Sequence, residues 1–196
     1  GYIAGTAITT GVQNTLVGYG SGDSLIDADY NTALGTNALA GDTYGSKSVA
    51  IGTQALNSQN FTTATDSLNT AVGHQAGLFV STGVQNTLVG ANTGDAVTTG
   101  DANVAVGYAA LGTNDVGGYN TAIGNSALGL NVDGSRSVAV GHGALYTQEP
   151  STAANMNNTA VGYIAGYATT TAINNTLVGA SAGDALTTGG LNTAMG

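Results

Sequence analysis

The sequence predicts an all-β fold, a parallel β-solenoid of about 11 coils, and three observations carry that prediction. A five-residue phrase recurs eleven times in 196 residues, with copies starting at 14, 31, 48, 69, 86, 103, 120, 137, 158, 175 and 192. Successive starts differ by 17, except across two 21-residue units, which begin at Ser48 and Ser137. Helical periodicity fails, because every short apolar run is cut by glycine. A fixed repeat of this length is the signature of a stacked array in which each unit buries its face against its neighbours.

Each position of the phrase has a structural reason. Position 1 is Asn in nine copies and Ser in two, and position 2 is always Thr or Val, which suits a pleated strand. Position 4 is Val, Leu, Ile or Met, and position 5 is always Gly, which permits a positive φ or a close backbone approach. Position 8 is always Ala, Ser or Thr. Alternation puts positions 2 and 4 on one face of the strand and 1, 3 and 5 on the other. Stacking copies in register at about 4.8 Å satisfies the backbone and lines up equivalent side chains, giving an Asn ladder at position 1 and an apolar column at position 4. Ten such steps make a rod about 50 Å long.

A covariation inside the repeat points to a close-packed interior. Position 3 is Leu at Leu16, Leu88 and Leu177, and in those coils position 9 is Gly22, Gly94 and Gly183. Where position 9 is Leu (Leu39, Leu56, Leu111, Leu128 and Leu145), position 3 is Ala. Two large side chains exclude each other when they share volume, so positions 3 and 9 are expected to face each other across a thin roll. In two coils both are small, Ala71 with Gly77 and Ala160 with Gly166, and the bulky residue that follows, Leu78 or Tyr167, is expected to compensate. A longer period lies above the first. The starts of the two long units differ by 89, and the same offset relates Lys47 to Arg136 and Tyr30 to Tyr119, so a block of five coils is duplicated. Because Gly1 and Gly196 both fall at position 5, residues 1–196 read as a single segment excerpted from a longer solenoid.

Composition excludes several function classes. Only 7% of residues are charged, the net charge is −9, and Lys47 and Arg136 are the sole Lys and Arg. Nucleic-acid binding needs clustered cations to neutralise phosphates, so no such partner is expected. No run of 18 apolar residues is present, which argues against membrane insertion by a helix. The absence of cysteine removes disulfides and thiolate metal sites. With 42% hydrophobic residues, disorder is a poor reading as well. His74 and His142 both sit at position 6 with no carboxylate at a fixed spacing, and the acids are scattered, so no metal site, no cofactor and no catalytic residue is expected. Gly18–Gly22 mimics a phosphate loop but lacks the lysine and the following helix.

The phrases Ser48–Gly52 (Ser-Val-Ala-Ile-Gly) and Ser137–Gly141 (Ser-Val-Ala-Val-Gly) resemble the head repeat of the YadA-like trimeric autotransporter adhesins. The Asn-Thr-Ala-Val-Gly phrase at 17-residue spacing is still more similar to repeats of phage tail fibres. The resemblance covers the whole chain. It implies a left-handed parallel β-roll, three chains side by side as a homotrimer, and an extracellular, cell-surface or virion location. The thin core and the small position-3 residues agree with trimerisation, since oligomerisation completes small cores and a row of Ala allows close approach of a neighbouring sheet.

The function expected is therefore a shaft or head segment of a trimeric fibre for host or surface attachment, and not an enzyme. The alternative is a module that binds a cell-surface glycan or receptor. Its candidate contacts are the four-residue expansions, Gln59, Asn60, Phe61 and Thr62 in one block and Gln148, Glu149, Pro150 and Ser151 in the other. Tyr2, Tyr19, Tyr108 and Tyr163 at position 6 form a second candidate set of surface aromatics able to stack on sugars. Lys47 and Arg136, both just before a Ser-started unit, are expected to reach Asp42 or Asp133, or acids of a neighbouring chain, and to fix the turn where the longer loop begins. An ice-binding solenoid fits less well, because position 2 switches to Val in three copies and the residue two places on is apolar.

Overall fold

The computed structural model describes Gly1–Gly196 and contains no helix. The phrase forms eleven three-residue strands, from Thr15–Val17 to Thr193–Met195, in one parallel sheet whose strands follow chain order. Register is that of the repeat. Thr15 pairs with Thr32, and the long unit keeps the same alignment, Val49 opposite Thr70. Two auxiliary parallel pairs flank the long sheet where the expanded units begin: Gly45–Ser46 with Thr65–Asp66, and Gly134–Ser135 with Ala154–Asn155. The fold is a parallel β-solenoid of about 11 turns.

Each coil closes on itself by using left-handed backbone at fixed places. These are positions 7 and 9 and the last position of the coil, which is 17 in the ordinary units. Wherever those places are not glycine, φ lies between 49° and 63°, even for the leucines at position 9. Such a conformation costs an L-residue about 1 kcal/mol or more. What holds it is the stack, because the amides concerned bond across coils, as Asn37 N–H does to the Tyr19 carbonyl and Leu39 N–H to the Ala55 carbonyl. Position 5 is different. Its φ lies between 129° and 153°, and a Cβ at Gly107 would come within 2.7 Å of the Gly124 carbonyl, so only glycine fits.

The interior is built from five ladders. Position 1 side chains are buried and bonded in two directions, as Asn86 illustrates. Its Nδ2 donates to the Gly100 carbonyl of the same coil at 2.9 Å, and its Oδ1 accepts the Asn103 N–H of the next at 3.0 Å. Positions 3, 8, 9 and 12 supply the remaining ladders and are buried throughout the central coils. Positions 2 and 4 point outward. The row of Ala at position 3, expected to lie against a neighbouring sheet, is fully inside the roll. Alternation places it there with the Asn ladder.

Positions 3 and 9 do share volume. A Cβ on Gly22 would lie 2.8 Å from Leu16 Cδ2, and one on Gly94 2.7 Å from Leu88 Cδ2. In the coils where both are small, the space is filled from neighbouring coils and not by Leu78 or Tyr167. At Gly77, Leu88 approaches from one side and Leu56 from the other, and at Gly166 Leu177 and Leu145 do the same. Tyr167 is 40% exposed.

Position 12 carries a second covariation, which the fold makes visible. Where position 9 is Gly, position 12 is Ile8, Leu25, Val80, Val97, Thr169 or Leu186. Such chains lean over the glycine, Leu25 Cδ1 coming within 2.9 Å of the site of a Gly22 Cβ. Where position 9 is Leu, that space is taken. Position 12 is then Asp42, Gln59, Asn114, Asn131 or Gln148, buried and facing the polar side of the interior. Gln59 Oε1 accepts from Asn69 Nδ2 at 2.8 Å, and Gln148 Oε1 from Asn158 Nδ2 at 2.8 Å. Ser48 and Ser137 replace Asn in those coils and bond to the glutamines. The shorter serine leaves room for the longer amide. Asp42 is wholly buried, and its carboxylate accepts from Gly45 N–H (3.0 Å), Phe61 N–H (3.1 Å) and Gln59 Nε2 (2.6 Å). Asn114 is buried with neither amide atom bonded.

Two measurements check this packing. Gly94→Leu is expected to lower stability by about 1–3 kcal/mol through overpacking. In a Leu88→Ala background the same change costs less, and denaturant titration of the four-member cycle reads the coupling. Asp42→Ala leaves the buried N–H groups of Gly45 and Phe61 unpaired and removes one acceptor from Gln59 Nε2, and is expected to cost about 3 kcal/mol or more. Asp42→Asn costs less, since Asn131 occupies the equivalent place in the second block.

Candidate functional site

The two expanded loops are only partly available for contact. Gln59 and Gln148, expected among the loop contacts, are fully buried members of the position-12 ladder. Phe61 is 6% exposed, and its ring covers Gly45, where a Cβ would meet Cδ2 at 2.8 Å. Pro150, its counterpart, is also buried, and the matching glycine, Gly134, is covered by Met156. Asn60, Thr62 and Ser151 are exposed and Glu149 is half-buried. The accessible tips are thus Thr62–Ala64 and Ser151–Ala153. Polar side chains beside an insertion read as surface, and these two turn inward as the position-12 residues of coils with Leu at position 9.

The position-6 tyrosines are at the surface, and stacking makes pairs of some. Tyr2 and Tyr19, 75% and 52% exposed, stack at 5.8 Å between ring centres. Tyr163 stacks on His142 at 5.5 Å, while Tyr108 stands between Ala91 and Asn125 with no ring partner. A neighbouring pair at position 10 lies outside the expected set, Tyr146 on Tyr167 at 5.2 Å. The sequence does carry its signal, since tyrosines at the same position of consecutive units must coincide in a stack that keeps register.

The cations contact neither of the acids expected. Lys47 Nζ lies 2.5 Å from Asp66 Oδ2, an exposed pair that bridges the auxiliary strands. Asp42 is out of reach inside the roll. Arg136 forms no ion pair, with Asp133 or otherwise, and its guanidinium carbon sits 6.0 Å from the centre of the Tyr119 ring. Tyr30 and Tyr119 therefore belong to the candidate surface, on the position-17 edge of the long sheet. The molecule has no enclosed cavity, no trio of side chains suited to a metal ion, and no helix long and apolar enough to cross a membrane.

Desolvation raises the Glu149 carboxyl above its ordinary range. The Val132 N–H that donates to it pulls the other way, and the charge of Asp133 adds to the rise. No family model, curated protein or solved structure matches the chain.

A raised folded-state value means that ionising Glu149 costs the folded form more than the unfolded one. Its destabilising effect is absent when both states are protonated and grows as pH rises past about 4. Glu149→Gln is therefore expected to melt higher than the native chain at pH 7, with the difference closing below about pH 4. A difference independent of pH would contradict the assignment.

Proposed function

We propose that this chain is a shaft or head segment of a homotrimeric fibre, exposed at a cell surface or on a virion, that serves attachment and carries no catalysis. The observation that supports it most is the outward face of the long sheet. Position 4 presents Val, Leu, Ile or Met from all eleven strands, position 2 presents Thr or Val, and no charge interrupts either row. Val17, Leu34, Ile123 and Val161 are between 37% and 51% exposed. A strip about 50 Å long and roughly three to five residues wide covers several hundred Å2, more than an isolated soluble chain ordinarily leaves bare.

The occupant that fits is another copy. A surface with a repeat of about 4.8 Å is complemented along its whole length only by a surface of the same repeat. Copies packed by this face, with flanking rows included, would each bury on the order of 800 Å2, the size of a stable interface. The resemblance of Ser48–Gly52 and Ser137–Gly141 to trimeric adhesin heads supports three chains in preference to two. Attachment through the fibre's own flank is a second reading, favoured by the exposed tyrosines beside the apolar strip.

Light scattering is expected to report three times 19.0 kDa. Val106→Asp with Val140→Asp, placed on the outward row, is expected to yield folded monomer. A well-folded native chain that stays monomeric at micromolar concentration overturns the trimer.

A further inference from the structure

The two five-coil blocks share their coil lengths and register, yet one corner of the second lacks the charge balance of the first. Lys47 follows Ser46, which pairs with Asp66 in the auxiliary sheet, and that carboxylate holds the ammonium. The same register pairs Ser135 with Asn155, so Arg136 follows a strand whose neighbour offers an amide where the first block has an acid. Arg136 is exposed and lies over Tyr119 instead. In the position-17 ladder the residue one coil before Tyr119 is Ala102, whereas Gln13 precedes Tyr30. Coils are about 4.8 Å apart, so the small alanine leaves the second face of the Tyr119 ring uncovered over roughly the thickness of one ring. Tyr119 is correspondingly 65% exposed against 55% for Tyr30. The exposed amides of Asn155, Asn157 and Asn174 lie along the same edge, Asn157 Nδ2 donating to Asn174 Oδ1 at 3.2 Å.

We propose that Tyr119, Arg136 and Asn155 form a contact site for a carboxylate-bearing sugar, an inference that rests on the attachment reading above. A pyranose ring of about one coil's thickness lies against the open face of Tyr119. Its carboxylate takes the fork of the Arg136 guanidinium, which no protein acid occupies. The Asn155 amide, both donor and acceptor, suits a ring hydroxyl. In a chain of net charge −9 this is the one Lys or Arg without an acid. An acidic peptide could use the arginine, but it would leave the ring face and the amide without a role.

The test is calorimetric titration of the whole chain with trigalacturonic acid, its methyl ester and tetraglutamate. Weak binding of the free acid, on the order of millimolar, is expected at one site per chain. Arg136→Ala should weaken it at least about tenfold. Asn155→Asp, which restores the first block's acid, should do the same, and Lys47→Ala should leave it unchanged. The ester should bind more weakly than the acid. Gln13→Ala combined with Lys47→Arg and Asp66→Asn is expected to open a second site and raise the stoichiometry to two. The proposal is overturned if the folded native chain binds no uronate, if Arg136→Ala or Asn155→Asp binds as well as the native chain, or if tetraglutamate binds as tightly, which would indicate an acidic protein partner. Light scattering on the same samples separates the two claims. A trimer that binds no uronate removes this site alone, and a monomer that binds it removes the trimer alone.

Discussion

A buried asparagine at the first position of most repeats joins backbone segments that would otherwise be free to slip. Its Nδ2 closes the coil by reaching the position-15 carbonyl, and its Oδ1 receives the first N–H of the coil above. Three-residue strands are too short to fix register through pairing alone. The amide fixes it instead, because a slip of one residue would strand a buried donor and a buried acceptor in each coil that carries the asparagine. Everything periodic in the molecule follows from that constraint. The left-handed residues at positions 7, 9 and 17 are tolerated because their amides find partners only in the neighbouring coil, and the partners are there only if register holds.

Where the ladder is interrupted the chain compensates. Serine at 48 and 137 has no amide, and the glutamine at position 12 of the same coil reaches over to accept from the Nδ2 of the next asparagine. The interior is thus divided lengthwise into an apolar half, filled by whichever of positions 3, 9 and 12 carries bulk, and a polar half organised around position 1. A leucine at position 9 moves the apolar bulk to itself and makes position 12 polar. In the polar half the buried Asp42 is held by three neutral donors without a cation.

The parts of the fold that are legible in the sequence are those the repeat writes identically in every copy. Strand positions, register, the position-5 glycine and the exclusion between positions 3 and 9 can be read because a fixed spacing forces equivalent residues into the same place. Position 12 is opaque because its identity runs from Leu25 to Asp42 to Asn114, and the pattern emerges only once position 9 is known to take the same space. Leucine in left-handed backbone is equally hidden, since Leu39 has no local preference for φ 52° and adopts it for the stack. The candidate surface is legible in part. The position-6 tyrosines are where alternation and turns put them, but Gln59 and Gln148 lie inside, and the partner of Lys47 comes from the expanded unit, whose return path no spacing rule gives.

Comparison of the duplicated blocks separates what folding demands from what it permits. Inside the roll, two exchanges come with compensation. Phe61 with Ser67 in one block becomes Pro150 with Met156 in the other, and each pair still covers its position-15 glycine, Gly45 or Gly134. Asp42 becomes Asn131, and the amide turns its Nδ2 to the Gly134 carbonyl while its Oδ1 still accepts from the glutamine. Along the position-17 edge, Gln13 becomes Ala102 and Asp66 becomes Asn155, so a ring preceded by glutamine and a paired cation become a ring preceded by alanine and an unpaired cation. An exposed pair such as Lys47–Asp66 contributes only about 0–1 kcal/mol, so stability alone neither preserves nor removes it. The interior of this solenoid therefore records the physics of its stacking, and along the position-17 edge, which a ligand can reach, the two blocks differ in charge balance as well.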